Sequence, residues 1–323
     1  MTATTAIVIG RNEGDRLIAC LASLRAQSVE TVYVDSGSHD NSVAEARKAG
    51  ALVVELDHGL PFTAARARQA GFDALAETDD LPEFIQFVDG DCIVAPDWIA
   101  TGEAALRADD TLGLVTGWRA ELYPERSLYN ALCDFEWRRP AGEILVCGGD
   151  TLVRSQAFVD AGGFDANVIA GEDEDFCLRI GKAGWGLRRL PEEMTRHDAD
   201  MMRFAQWWQR AVRGGHAYAQ VGWKHPPYAL REQLRALVYG VVLPALALWG
   251  VFENMWIFLG VMALFVASYI RTKNGLVKAG LPYWEAWRHA RLITLSKLPN
   301  ALGMVLFHWR RLRGHGMQII EYK

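Results

Sequence analysis

Residues 84–92 read F-I-Q-F-V-D-G-D-C, an apolar run that ends on two carboxylates, Asp89 and Asp91, with one glycine between them. A β-branched and aromatic run of this length suits a buried strand, and ligands in open α/β sheets gather beyond the carboxyl ends of such strands. Two hard oxygen donors there suit Mg²⁺ or Mn²⁺, above all where the cation also holds a diphosphate. Gly90 is expected to let the backbone turn sharply so that both side chains converge on one ligand. Taken alone, the triplet fits an Asp-rich turn capping the next helix as well. A second acidic run, Glu172-Asp173-Glu174-Asp175, offers a proton acceptor, since a carboxylate within reach of a hydroxyl can act as general base. Four consecutive acids equally suit the first turn of a helix, and their mutual repulsion would raise one pKa.

The elements that must position these residues alternate from residue 6 to about 120. The pattern predicts strands at 6–9, 31–34, 52–55 and 84–88, with helices at 13–26, 42–49 and 63–76 between them. This βαβ rhythm predicts a doubly wound α/β sheet that takes nucleotide-sized ligands at its strand ends. There is no G-x-G-x-x-G and no G-x-x-x-x-G-K-[ST], so neither a dinucleotide fingerprint nor a P-loop is expected.

The back end changes character. The net charge of −5 over 323 residues hides an acidic front and a basic back: residues 197–323 carry 16 Lys or Arg against 6 Asp or Glu. The basic residues flank long apolar runs and form no continuous polar stripe, which favours a membrane surface over nucleic acid. Leu234–Phe252 carries a single charge, Arg235 at its second position, and Met255–Ile270 carries none, with only Glu253-Asn254 between them. As a pair they read as a membrane hairpin over 234–270, although a buried hairpin of a soluble domain fits the same composition. Arg231 before it and Arg235 at its very start, with Arg271, Lys273 and Lys278 after it, put both outer ends in the cytosol by the positive-inside rule. Pro244 is expected to kink the first segment, and residues 292–313 read as an amphipathic interfacial helix. The division expected is a catalytic domain over 1–230 and hydrophobic helices over 231–323. Five scattered cysteines without a C-x-x-C pair argue against a zinc site or a disulfide framework and fit a reducing cytoplasm. The first ten residues carry no basic leader, so the front domain is expected to stay on the cytoplasmic side.

Six motifs occur in order: I-V-I-G-R-N-E-G (7–14), V-D-S-G-S-H-D-N-S (34–42), A-R-Q-A-G (67–71), F-V-D-G-D-C (87–92), G-G-F-D (162–165) and G-E-D-E-D-F (171–176). In that order and spacing the chain resembles the family 2 glycosyltransferases over roughly residues 5–215. The resemblance implies a GT-A fold and nucleotide-sugar contacts by Arg11, Glu13, Asp35, Arg68 and Asp89. Asp35 matches the aspartate that accepts a hydrogen bond from the base, which suits the imide N–H of uracil and hence a UDP-linked donor; its D-S-G-S context also suits an Asx-turn. The departures are Gln69 in the usual asparagine position and Ile9 in place of the opening proline. The resemblance further implies Asp91 as a direct ligand of Mn²⁺ or Mg²⁺, with His197 completing the metal or diphosphate shell, and Asp173 as the general base. Gly148, Gly149 and Asp150 lie where family members approach the acceptor, beside Glu172. Arg210 and Arg213, three apart on one predicted helix, could grip a diphosphate or an anionic lipid head; an interfacial helix with Trp207 and Trp208 toward lipid is the alternative.

Together these readings predict an inverting, metal-dependent glycosyltransferase on the cytoplasmic face of the inner membrane. It would move a sugar from a nucleotide donor to a lipid-linked or membrane-associated acceptor, as in cell-surface glycan assembly. The alternatives are a polyprenyl-phosphate sugar synthase and a non-catalytic GT-A scaffold, which the intact Asp89, Asp91 and Asp173 positions oppose.

Overall fold

The computed structural model describes residues 3–78, 81–314 and 319–320. It divides into two compact units, Met1–Pro124 with Cys133–Asp200, and Glu125–Leu132 with Met201–Lys323. Residues 201–230 thus group with the C-terminal helices, whereas the sequence division at 230 assigns them to the catalytic half.

The first unit is built on one mixed sheet. Among the described residues its strands are β1 Thr4–Gly10, β2 Glu30–Asp35, β3 Leu52–Glu55, β4 Phe84–Asp89, β5 Cys92–Val94, β6 Leu112–Glu121, β7 Gly142–Glu143, β8 Thr151–Arg154 and β9 Gly186–His197. They run in the order β3-β2-β1-β4-β8-β6-β9-β5, with β7 beside β9. β1, β2, β3 and β4 are parallel, β8 is antiparallel to both β4 and β6, and β6 and β9 are parallel. The consequence for function is direct. The carboxyl ends of β1, β2, β4, β6 and β9 share one sheet edge, and reversal of β8 brings its amino end, just after Asp150, to that same edge.

Period-two alternation sorts side chains between two buried layers. Ala6, Val8, Phe84 and Val88 join Leu17, Leu21 and Leu24 of helix Asp15–Arg25 and Trp98 of helix Trp98–Ala108. Ile7, Ile9, Ile85 and Phe87 point the other way, toward Phe72 and Leu75 of helix Ala64–Ala76, and toward Phe176 and Ile180 of helix Glu172–Lys182. Gln86, fully buried in the first layer's phase, accepts from Trp98 Nε1 at 2.8 Å and donates to the Phe87 carbonyl at 2.8 Å, so its polar atoms are satisfied. Thr63 caps helix Ala64–Ala76 by accepting from Arg66 N at 3.1 Å.

In the second unit, helix Leu230–Leu237 passes through a π-turn at Val238–Val242 into helix Leu243–Glu253. The irregularity comes just before Pro244, which lacks the N–H that a regular helix needs there. The expected kink therefore takes the form of a widened turn. Asn254 then caps helix Met255–Lys278 by accepting from Trp256 N at 3.0 Å. Leu230–Glu253 and Met255–Lys278 are 24 residues each and hold 18-residue stretches of mean hydropathy 1.8 and 1.6, long and apolar enough to cross a membrane. The single element expected over 292–313 is two helices, Tyr283–Leu295 and Lys297–Leu312, broken at Ser296. Helix Lys297–Leu312 packs on helix Phe204–Lys224 so closely that a side chain at Gly215 or Gly303 would meet the opposing backbone.

Gly71 lies where helix Ala64–Ala76 sits on the sheet, and a Cβ there would run into Ile7 and crowd Val34. Gly71→Val is expected to lower unfolding stability by about 1–3 kcal/mol through overpacking, read from chemical denaturation followed by far-UV circular dichroism.

Candidate active site

The residues gathered at the shared strand edge come from distant parts of the chain, and the topology explains each meeting. β4 ends at Asp89 and the chain turns immediately. Gly90 does not take a left-handed φ; a Cβ there would lie 3.0 Å from the Ile9 carbonyl oxygen, to which Gly90 N donates at 2.8 Å. The glycine thus serves close approach to β1, not the sharp turn expected of it. Cys92 of β5 is the antiparallel partner of His197 at the end of β9. That register sets His197 Nε2 3.0 Å from Asp91 Oδ2. Trp137 stacks on the His197 ring at 4.7 Å between centroids and 23° between planes, fixing its tilt.

Arg68, on helix Ala64–Ala76 and 2% exposed, is the hub. Its guanidinium reaches Asp89 Oδ1 at 2.8 Å, Glu172 Oε1 at 3.0 Å and Asp173 Oδ1 at 3.1 Å. Every one of these three partners is acidic, so Arg68 is a clamp inside the site. Gly171 takes φ 75° and opens helix Glu172–Lys182, placing Glu172 and Asp173 in its first turn. Gly149 N donates to Asp173 Oδ2 at 2.8 Å. Burial drives the Asp173 pKa up and the Arg68 charge opposes it, while Glu172 and Asp89 add to the rise, leaving it at about 6. At Asp89 burial also pushes upward, but Arg68 and Arg119 outweigh it and hold the carboxyl below its ordinary value.

Asp150 directly precedes β8 at the same edge. It is fully buried and accepts from Asp89 N at 3.0 Å, Thr195 Oγ1 at 2.6 Å and Arg119 Nη2 at 3.1 Å. Its part is to tie β4, β8, β9 and β6 together at the edge. Gly149, with φ +48°, packs under the Arg119 guanidinium, which an added Cβ would strike. Asp35 likewise turns inward. Its Oδ1 accepts from Tyr33 Oη at 2.9 Å and Ser38 Oγ at 2.5 Å, and its Oδ2 from Gly37 N at 2.9 Å and Ser38 N at 2.8 Å. A carboxylate has about four acceptor positions, so Asp35 is filled by its own turn: the Asx-turn alternative describes it. Glu13 pairs with Arg16 at 2.8 Å, and Arg11 lies 5.7 Å over the Phe62 ring on the exposed rim. Arg210 and Arg213 belong to the second unit, on helix Phe204–Lys224.

Sequence reading missed Arg119 and Trp137. Arg119 has a signal in retrospect: a lone cation near the carboxyl end of the long buried run of β6. Trp137 has none, because its stacking depends on where β9 ends.

The donor set suits a hard divalent cation. Five carboxylates, Asp89, Asp91, Asp150, Glu172 and Asp173, face two guanidiniums, Arg68 and Arg119, an excess of negative charge that a dication relieves. Asp91 and His197 supply a mixed oxygen and nitrogen pair, which suits Mn²⁺ better than Mg²⁺. Cys92 lies within the same grouping, but burial first and then nearby carboxylates raise its thiol pKa well above the ordinary value, so it stays protonated.

Residues 5–152 match the family described as Glycosyl transferase family 2. The chain is 28% identical over 235 residues to the pre-mycofactocin glycosyltransferase of Mycobacterium tuberculosis, covering 69% of this chain and 48% of that protein. It thus spans about half the length of the curated relatives it matches. Among solved structures, the mannosyltransferase PcManGT from Pyrobaculum calidifontis in complex with GDP-Man and Mn²⁺ has a TM-score of 0.58 at 18% identity, over 96% of this chain and 88% of that one. S. aureus TarS 1-349 in complex with UDP has a TM-score of 0.52 at 14% identity, over 99% and 96%. The stretch 5–152 thus matches the family 2 glycosyltransferases, and the chain has a GT-A fold followed by C-terminal helices.

If Asp173 must be ionised to act, turnover should fall about tenfold per pH unit below its pKa of about 6 and level off above it. Rates measured between pH 4.5 and 8 under saturating donor check this; a flat profile through pH 6 contradicts the assignment.

Proposed function

We propose that this protein is an inverting glycosyltransferase that passes a sugar from a nucleotide donor to a hydroxyl of a membrane-associated, lipid-linked acceptor. The observation that carries the reading is Asp173, a carboxylate with a raised pKa, oriented by Gly149 N and Arg68 at the strand edge that also holds Asp91 and His197. An acceptor hydroxyl is a weak nucleophile. Asp173 takes its proton as the oxygen attacks the anomeric carbon and the bond from that carbon to the diphosphate oxygen breaks on the opposite face, inverting the configuration. Arg68 keeps the base in line and holds its pKa below what burial alone would impose. Asp91 and His197 would hold Mn²⁺ or Mg²⁺, which when bound neutralises charge building on the departing diphosphate. The uridine expectation rested on Asp35, whose oxygens accept from Tyr33, Gly37 and Ser38, so a donor panel must include both UDP- and GDP-sugars.

The membrane part of the proposal rests on the second unit. Phe252 at 79% and Trp256 at 80% exposure stand at the tip between the two long apolar helices, and Arg231, Arg235, Arg271 and Lys273 flank their other ends. Exposed aromatics at one end and cations at the other fit a hairpin entering the inner membrane from the cytoplasmic side.

The test uses the full chain in detergent micelles with radiolabelled donors, Mn²⁺ and extracted bacterial lipids. A lipid-soluble product of inverted anomeric configuration is expected, and Asp91→Asn should cut its formation by at least about 100-fold, since a cation at that place supplies several kcal/mol. Retained configuration, or an unaffected Asp91→Asn variant, would overturn the mechanism.

A further inference from the structure

The second unit carries an apolar trough that the catalytic reading does not use. One wall is helix Leu230–Leu237 continued to Val241, and the other is helix Lys297–Leu312; Leu234, Leu237, Val241, Met304, Val305 and Trp309 line it. The lining runs from Leu230 to Val241 on one side and from Ala301 to Leu312 on the other, roughly 17 Å at helical rise. Its volume is about 480 Å³. Gln233, one of its few polar residues, already donates to the Tyr218 carbonyl at 2.9 Å.

One end of the trough is cationic. Arg313 lies 4.0 Å over the ring of Trp309, a wall residue, and Arg311 lies 3.6 Å over Trp223. Arg311 and Arg313 bracket Leu312, the last lining residue, and both are exposed. The rings hold the guanidiniums without using their hydrogen-bond donors in the ring plane, leaving those N–H groups for a phosphate. An apolar trough that ends in two stacked arginines is complementary to a lipid tail carrying a phosphate at one end.

We propose that this trough binds the tail of a polyprenyl phosphate, with Arg311 and Arg313 at its phosphate. The inference rests on the reading that the acceptor is a membrane lipid, and names the class of lipid that carries it.

The probe is a polyprenyl monophosphate bearing a diazirine in its tail, photolysed with the full chain in detergent micelles and mapped by peptide mass spectrometry. Cross-links are expected in 230–241 and 301–312. Leu234→Trp and Val305→Trp fill the slot at exposed positions and should each reduce labelling at least fivefold while donor hydrolysis is unchanged, which verifies folding. Arg311→Gln with Arg313→Gln should weaken labelling by the phosphate but not by the matching polyprenol. Labelling confined to Met255–Lys278, labelling undiminished by the Trp variants, or equal competition by two-chain phosphatidylglycerol would overturn the proposal. Transfer to extracted lipids is scored separately: its absence with trough labelling intact would sink the lipid-acceptor reading alone. Transfer persisting after labelling is lost would sink the trough alone.

Discussion

The buried guanidinium of Arg68 holds together three carboxylates that would otherwise repel one another. Asp89 ends β4, while Glu172 and Asp173 begin a helix more than eighty residues later, and the fork of Arg68 touches all three. Burying charge costs several kcal/mol per ion, and removing one partner from such a cluster typically costs 3–5 kcal/mol because the others are left uncompensated. The cluster is therefore a poor source of stability and a strong source of geometry. Its residual negative charge suits a cation, and it leaves the Asp173 pKa at about 6, within the range a general base needs. For Asp173 the sign is clear. A folded-state pKa above the unfolded value means this residue's contribution to stability declines as pH rises from about 4 to about 6, a strain the rest of the sheet must carry.

The sheet does so through strand direction. Parallel β1, β2, β4, β6 and β9 deliver their carboxyl ends to one edge, and the antiparallel β8 adds its amino end. Asp150, at the start of β8, then ties four of those strands together by accepting from Asp89 N of β4 and Thr195 Oγ1 of β9 and pairing with Arg119 of β6. The second unit follows a different logic, with apolar helices that expose Leu248, Phe252 and Trp256 where a soluble core would hide them. Glycines at 215 and 303 let two of its helices approach to backbone contact.

Much of this was legible in the residues. The first four strands and three helices fall within two residues of their expected bounds, because short β-branched runs between amphipathic helices leave little else to fold into. The acidic positions 89, 91, 172 and 173 were likewise legible as a group once their spacing resembled a known family. What escaped was partner identity. Asp35 and Asp150 look like ligand-facing acids in the sequence, yet each spends its oxygens on its own fold. Nothing local in the sequence shows that Asp89, Glu172 and Asp173 all meet the guanidinium of Arg68. Register between β5 and β9, which brings His197 to Asp91, is a tertiary fact that no local pattern encodes.

The most direct test of the Arg68 clamp is the single-turnover transfer rate of Arg68→Lys, with melting temperature and donor affinity recorded in parallel. Lysine keeps the charge but not the fork that spans three carboxylates. The account predicts a folded variant that binds donor within a few-fold of the wild type but transfers sugar about 100-fold more slowly, the cost expected of an ångström-scale misplacement of the base. A transfer rate within a few-fold of wild type would contradict it.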